Sequence, residues 1–371
     1  MNARIRQPTV PWLVRVAAVV VALAVLVILP QQSTPYDNLQ ITLVAAWAVV
    51  IAGLNLLTGY AGQISLGQAA FFGIGAYTTA ITALHGWPVV LSFALAFLLP
   101  ATVGALVAIP AVRLRGHALA MITISLPLVA VPLAKRLDGL TGGSQGLTTP
   151  IGSAPTWSGL ADDQWAYYVV LTVAAALLAL AHVAVRGRTG RALSLIRTSE
   201  VAAVTTGIPV RRYKMVVFAL ASGYGGAGGF LYVYCVRFVS PESLDFLLGI
   251  TLLCSLVVGG LRSSAGSVVA ACFYVYVPNL VGDINPEKSS LIYGAVLLLV
   301  LLFAPAGIAG AARGLWRRRK LLARKLATSW PAPSTPTGYL AVAGSTETSQ
   351  EENGGLTPTR STASNPSSKT R

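Results

Sequence analysis

Long apolar runs separated by short polar connections leave this chain few folds to choose from. Such runs fall at 12–30, 39–57, 63–84, 89–112, 118–134, 165–185, 215–236, 246–261, 267–281 and 291–307. A helix needs about 20 apolar residues to cross the hydrocarbon core of a bilayer. Hydrophobic residues make up 54% of the 371, charged residues only 11%, and no soluble domain of this length needs so little charge. The expected fold is therefore all-α, a polytopic membrane bundle of about ten transmembrane helices.

Charge placement sets the orientation. The net charge of +15 would suit a nucleic-acid partner if it were clustered on a soluble domain. Instead the bases sit in short connections or just after the last run, as on a cytoplasmic membrane face. With the N-terminus inside, only Lys135, Arg136, Arg237 and Lys288 of the 27 Lys and Arg fall in outer loops. Asp37, Asp138, Asp162, Asp163, Glu242, Asp245, Asp283 and Glu287 fall there too. That asymmetry predicts an even number of spans with both termini cytoplasmic. The basic start (Arg4, Arg6) resembles a signal peptide, but no small-x-small site lies near Pro30 and the run is long for an apolar signal core. It is read as the first span.

The stretch 53–79, GLNLLTGYAGQISLGQAAFFGIGAYTT, is apolar yet unlike a plain spanning helix. Gly59, Gly62, Gly67, Gly73 and Gly75 loosen the backbone. Asn55, Gln63, Ser65 and Gln68 bring uncharged hydrogen-bonding groups to membrane depth. Irregular backbone survives there only where protein or a water-filled cavity surrounds it, and transporters line substrate paths with such broken segments. Close helix packing through small residues is the alternative, but packing does not require the Gln, Asn and Ser. A path-lining role for these nine residues, with one or more broken helices, is the expectation. In 222–229, SGYGGAGG, the Gly225–Gly229 spacing instead favours tight helix packing.

Residues 186–214 form the strongly basic inner loop. Thr198 or Ser199 can cap a helix there, with Glu200 in its first turn where the helix dipole favours an anion. Gly207 suits a C-terminal stop and Pro209 follows. The predicted helix of about two turns is marginal alone and needs packing. Its alanines offer a low-profile face that a partner's groove can seat, although an ordinary amphipathic connector would read the same way. The domain layout is thus a cytoplasmic N-terminus (1–11), a membrane domain (12–312) with its inner loop (186–214), and a basic juxtamembrane segment with tail (313–371). The Arg317–Lys320 cluster suits a stop-transfer or anionic-lipid patch. From about 328 the chain is rich in Ser, Thr, Pro and Gly and is expected to be disordered.

Other chemistry is thinly represented. Cys235, Cys254 and Cys272 lack CxxC spacing and read as small buried hydrophobes. His85, His117 and His182 have no partner at ligand spacing, so no metal is expected. Ser65 lacks a GxSG context and no His can be tied to it, so no catalytic residue is assigned. A secondary transporter usually keeps ionisable groups inside the membrane, and no Asp or Glu lies in the ten runs. With no GxxxxGK[ST] either, the chain has no usual phosphate loop of its own.

The motifs GLNLLTGYAGQISLGQAAFFGIGAY, RLRGHALAMITISL (113–126), LTGGSQGL (140–147), GRALSLIRTSEVAAVTTGIPVRRYKMVVFALASGYGGAGGFLY (190–232), VVGGLRSSAGSVV (257–269) and LLFAPAGI (301–308) together resemble the branched-chain amino acid permease family of ATP-binding-cassette importers. The resemblance runs in the family's order from about 38 to 310. It implies that Glu200, Ala202, Ala203 and Gly207 lie on the short helix that docks onto an ATPase subunit, and that Asn55 to Gly75 lie along the translocation path. It implies a second permease, two ATPases carrying the ATP and Mg, and an extracytoplasmic binding protein. The bacterial cytoplasmic membrane and the inward transport of branched-chain or other small amino acids, urea or amides follow from it as well. The alternative is a self-contained ion-coupled secondary transporter. The chain departs from the family's usual pattern at Gln145, commonly acidic, and at Arg262-Ser263, usually Gly, so the turn near 262 is expected to have its own geometry.

Overall fold

The computed structural model describes residues 29–112, 117–156, 158–284, 289–303 and 307. The N-terminal segment 1–11, nearly all of the run 12–30, and the basic segment and tail from 313 lie outside the described residues, as does Lys288.

Pro35 starts the first long helix, α1 (Pro35–Leu54), at a position where its missing N–H leaves nothing unsatisfied. The Thr34 hydroxyl caps it by accepting the Asp37 amide at 3.2 Å. At its other end α1 passes without a break into a six-residue π-helix, Asn55–Tyr60. Irregular chain follows from 61 to 67, and helix resumes as α2 (Gln68–Leu84). Next come α3 (Val89–Ala111) and α4 (His117–Arg136). A single turn, α5 (Asp138–Thr141), leads through a 3-10 turn to strand β1 (Leu147–Thr148). Then follow α6 (Asp162–Arg186), the short α7 (Arg188–Thr198) and α8 (Glu200–Thr205), and the long α9 (Val210–Val236). Strand β2 (Phe238–Val239), α10 (Phe246–Gly259), α11 (Ser264–Ile284) and α12 (Ser289–Phe303) complete the described chain.

Helices therefore occupy nine of the ten expected positions, the first lying outside the described residues. Six are long and apolar enough to cross a membrane: α1 with its π extension, α3, α4, α6, α9 and α11. Among the described residues the expectation of about ten spans is corrected at two positions, α2 and α10. At 1.5 Å per residue, the 17 residues of α2 and 14 of α10 fall short of a bilayer core of roughly 30 Å. For α2 the reason is visible, because the expected span 63–84 spends its first five residues in irregular chain. A pair of Pro residues inside α3 (Pro100, Pro110) and inside α4 (Pro127, Pro132) does not end either helix.

Burial divides the bundle into centre and rim. Of the apolar stretches, 83% of α1 and 78% of α9 is buried, against 22% in each of α3, α4 and α6. The centre is built on the glycines of α9, which packs against α1, α2, α3 and α6. A methyl group added at Gly226 would come within 2.1 Å of the Ala96 carbonyl in α3, and one at Gly228 within 2.1 Å of Val50 in α1. One at Gly229 would meet the Phe72 carbonyl in α2 at 2.2 Å. Three neighbouring helices thus approach α9 as closely as glycine allows, which gains dispersion contact where the lipid offers no hydrophobic drive. Around this contact Trp47 stacks on Phe72 (4.9 Å between centroids) and tilts against Tyr274 (4.8 Å), joining α1, α2 and α11. The Tyr224 hydroxyl donates to the Leu177 carbonyl (2.8 Å) and ties α9 to α6.

The loop end opposite α7 and α8 is tied as well. Strands β1 and β2 pair antiparallel, Leu147 opposite Val239. Arg237, at φ 60°, caps α9 and reaches Asp162 at the start of α6 (2.9 Å) and the Gly152 carbonyl (3.1 Å).

Candidate functional site

Two sets of sequence-predicted residues lie beside the C-terminal end of one short helix, α7. The first set is the break after α1. Asn55, its first residue, is buried and fully engaged: its amide donates to the Ser263 carbonyl (3.0 Å) and the Ser267 hydroxyl (3.1 Å), and its oxygen accepts the Arg262 amide (3.0 Å). Gly59 leaves room for that side chain, since a methyl there would lie 2.0 Å from Asn55 Oδ1. Asn55 thereby holds the turn between α10 and α11, in which Arg262 takes a left-handed φ of 61°. This is the position at which the resemblance led one to expect glycine, and the Asn55 bond offsets the cost of a side chain there.

From 61 to 67 burial alternates residue by residue along the irregular chain. Gly62 and Ile64 are exposed, Leu66 is half-buried, and Gln63, Ser65 and Gly67 are buried. Gly62 has φ +72°, the turn that redirects the chain. Local bonds hold the segment: Thr58 Oγ1 donates to the Gln63 carbonyl (3.1 Å), and the Ser65 hydroxyl accepts the Gly67 amide (3.4 Å). From α4, Thr123 Oγ1 accepts the Leu66 amide (3.1 Å). Gly67 lets α4 close in, since a methyl there would be 2.8 Å from Leu126. Gln68 opens α2 and its amide bridges the Val50 (3.3 Å) and Ala221 (3.0 Å) carbonyls of α1 and α9. Among the described residues, the side-chain oxygens of Gln63 and Gln68 are buried without a hydrogen-bond partner. Gly73 and Gly75 lie deeper in α2, the first against Leu244 (2.6 Å to an added methyl) and the second against the Gly226 backbone (2.2 Å or more). Beside the break, α2, α3 and α4 enclose an apolar groove of about 520 Å³ that includes Ile74, Tyr77, Leu126 and Leu133.

The second set is α8. Ser199 caps it by accepting the Ala202 amide (3.2 Å). Its end is a full Schellman motif, with the Ile208 amide bonded to the Ala203 carbonyl and the Gly207 amide to the Val204 carbonyl (3.0 Å each). Gly207 sits at φ +78° with open space where a side chain would be. Its glycine is demanded by backbone conformation. Lys214 of α9 pins the helix through a 2.5 Å ion pair to Glu200, the Lys side chain 6% exposed and the Glu 32%. Ala203 is buried and Ala202 half-buried, so the small residues let α8 lie close against the chain. The outward face is instead Val201 and Val204, 71% and 62% exposed. A groove of about 710 Å³ beside it includes Val112, Glu200, Val201, Val204, Ile208 and Arg212.

Arg197 joins the two sets. From the last turn of α7 its guanidinium donates to the Gly59 carbonyl, one of the groups that the end of a helix leaves without an intrahelical partner. Its stem lies on Gly62, where an added methyl would be 2.8 Å from Arg197 Cγ. Arg262 Nη2 also donates to Ser194 Oγ on α7 (3.0 Å). Sequence reasoning missed Arg197, Lys214, Thr123 and Arg262 as contact makers. All four act across more than ten residues of chain, and only a turn-capping pattern of the kind seen at Ser199 can be read locally.

Residues 38–301 match the family described as branched-chain amino acid transport system, permease component. Over 291 residues the chain is 30% identical to the high-affinity branched-chain amino acid transport system permease protein LivM of Escherichia coli (strain K12), covering 72% of this chain and 68% of that one. It is 29% identical, with the same coverage, to LivM of Salmonella typhimurium. Its trace is loosely similar to PsaBC from Streptococcus pneumoniae in complex with Fab, at 15% identity and a TM-score of 0.41 over 76% of this chain and 97% of that one. That likeness is too distant to bear on function.

Proposed function

The chain belongs to the permease component family of branched-chain amino acid transport systems, and from that premise we propose that it translocates branched-chain or other small amino acids inward as the membrane subunit of an ATP-binding-cassette importer. Its partners in this reading are a second permease, two ATPase subunits that hold the ATP and Mg, and an extracytoplasmic binding protein that sets selectivity. The inner loop and both termini face the cytoplasm.

One observation carries the reading. Helix α8 is only six residues long, too short to hold itself together in water. Yet it is capped at both ends, pinned by the Glu200–Lys214 pair and turned so that Val201 and Val204 point away from the chain. A protein that spends caps and an ion pair on presenting two valines outward has a surface built for docking. Glu200, Ala202, Ala203 and Gly207 then place and shape that helix, while Val201 and Val204 fill the ATPase groove.

The break after α1 supplies the path in this reading. Gly62, Ile64 and Leu66 turn one edge of the irregular chain outward, and Asn55, Gly59, Gln63, Ser65, Gly67, Gln68, Gly73 and Gly75 hold that edge in place from behind. Alternating access follows when the docked helix is driven by the ATPases and the bundle rocks around the break.

The test is purification of the tagged chain in mild detergent, with mass spectrometry of what accompanies it and uptake assays in liposomes. Two phosphate-loop ATPases, a second permease and ATP-dependent uptake are expected. Recovery of the chain alone, with uptake that ignores ATP, would overturn the importer reading.

A further inference from the structure

The described chain connects the docking helix to the broken segment by a short route. Helices α7 and α8 share a single-residue joint, Ser199, in extended conformation. Its amide bonds back to Leu195 (2.9 Å), while its carbonyl and hydroxyl accept the amides of Ala203 (3.1 Å) and Ala202 (3.2 Å). A joint bonded on both sides does not swing freely, so the two helices move as one bent piece. Arg197 lies two residues before that joint.

Its side chain grips the break in two ways. The guanidinium holds the Gly59 carbonyl at the last turn of the π-helix, and the aliphatic stem fills the space that Gly62 leaves open. Three residues further back along α7, Ser194 receives Arg262, whose own amide is held by Asn55 at the first residue of the same π-helix. Helix α7 is therefore attached to both ends of the π turn. π-turns inside α-helices recur at functional sites, and here the turn stands between the deeply buried α1 and the irregular edge at 61–67. The planar fork of arginine suits this double duty, since it keeps the carbonyl bond while the stem lies flat.

We infer that Arg197 is a positioning residue that transmits movement of the docking helix to the broken segment, so that α8, α7 and residues 59–67 shift together in each transport cycle. The inference rests on the docking role proposed for α8. It assigns the coupling step to one guanidinium–carbonyl contact, with the Ser194–Arg262–Asn55 chain as its companion strut.

The experiment uses the assembled importer in lipid, with Cys235, Cys254 and Cys272 replaced by alanine. Ile64→Cys reports on the broken segment through its rate of reaction with a small hydrated thiol reagent, measured with and without vanadate-trapped ATP. Val204→Cys reports separately on docking, by cross-linking to an ATPase subunit. In the parent, Val204→Cys cross-links and the Ile64→Cys rate differs between the two nucleotide states. Arg197→Met, which keeps the stem but not the charge, should lose that difference while ATP hydrolysis and the Val204→Cys cross-link persist. Arg197→Lys should restore it at least in part, which a residue needed only for folding would not separate from hydrolysis. If Arg197→Met does not assemble, Arg197→Gln, shorter and uncharged, serves for the same comparison. A parental ATP-dependent difference in the Met or Gln protein would overturn the inference while leaving docking intact. Absence of any Val204→Cys cross-link in the parent would overturn the docking role and this inference with it.

Discussion

Replacing Gly207 separates two reasons for a glycine at the end of α8. The residue has φ +78° and no atom within 4 Å of the place a Cβ would occupy. Within the chain, a side chain there is penalised by backbone conformation alone. An L-residue in the left-handed region costs about 1–2 kcal/mol, which changes a folded fraction by a factor of roughly 5–30. Valine, stiff and β-branched, stands at the upper end of that range, whereas asparagine enters the left-handed region several-fold more readily. The six residues of α8 have little intrinsic stability to absorb the loss. ATP-dependent uptake by the reconstituted importer should therefore rank Gly, then Asn, then Ala, then Val, with the Val variant reduced by roughly 5- to 30-fold and the Asn variant keeping most activity. Membrane insertion and yield should be the same for the parent and all three variants. If Gly207→Asn and Gly207→Val are equally impaired, a partner pressed against this spot is the cause and the conformational argument fails. Parental uptake in Gly207→Val would remove Gly207 from the coupling segment altogether.

Two further outcomes follow from contacts described above. Gly75→Val puts side-chain atoms where the Gly226 backbone lies about 2.2 Å from the first added carbon; overpacking of this kind costs about 1–3 kcal/mol or more, so the detergent-solubilised protein should melt several degrees lower, and an unchanged melting temperature would contradict the α2–α9 contact. Glu200→Gln strands a Lys214 ammonium whose side chain is only 6% exposed, whereas Lys214→Met leaves a Glu200 that is 32% exposed and reached by water. Breaking a fully buried pair costs about 3–5 kcal/mol, and solvent at Glu200 reduces this to about 1–3 kcal/mol. Uptake should fall more in Glu200→Gln than in Lys214→Met, and the reverse order would refute the pinning role of the pair.

The length and apolar character of the runs made the helices legible, because each must satisfy its own backbone in lipid. Glycine clusters marked both special regions, but with different meanings. In 222–229 they signalled close approach, and Gly226, Gly228 and Gly229 do meet neighbouring helices. In 53–79 the break was visible, though its form was not: nothing local distinguishes a π turn at 55–60 from α-helix, since that choice rests on Asn55 reaching 208 residues ahead to Ser263. The cap at Ser199, the stop at Gly207 and Glu200 in the first turn were readable because capping is local chemistry. The inward turn of Ala203, the Lys214 pin and the Arg197 grip were not, because they depend on how α8 lies against the rest of the chain. The short α10 was misread for a local reason: its apolar run continues to Leu261, but Gly260 at φ 104° ends the helix earlier.

The glycine-faced helix α9 also has a consequence for how the protein is made. It is less apolar than α3 or α6, and what stabilises it is contact with α1, α2, α3 and α6, all of which leave the ribosome before it. Its seat is made by two pairs, α1 with α6 and α2 with α3, which α9 joins when its own sequence arrives, with small-residue faces such as that around Gly75 already in the bilayer. Insertion of α9 is then a templated step that completes the core. A chain whose earlier helices have closed on one another, or on a neighbour, would meet it with no seat to offer. Biogenesis is thus most exposed to failure late in synthesis, between emergence of α6 and emergence of Val236.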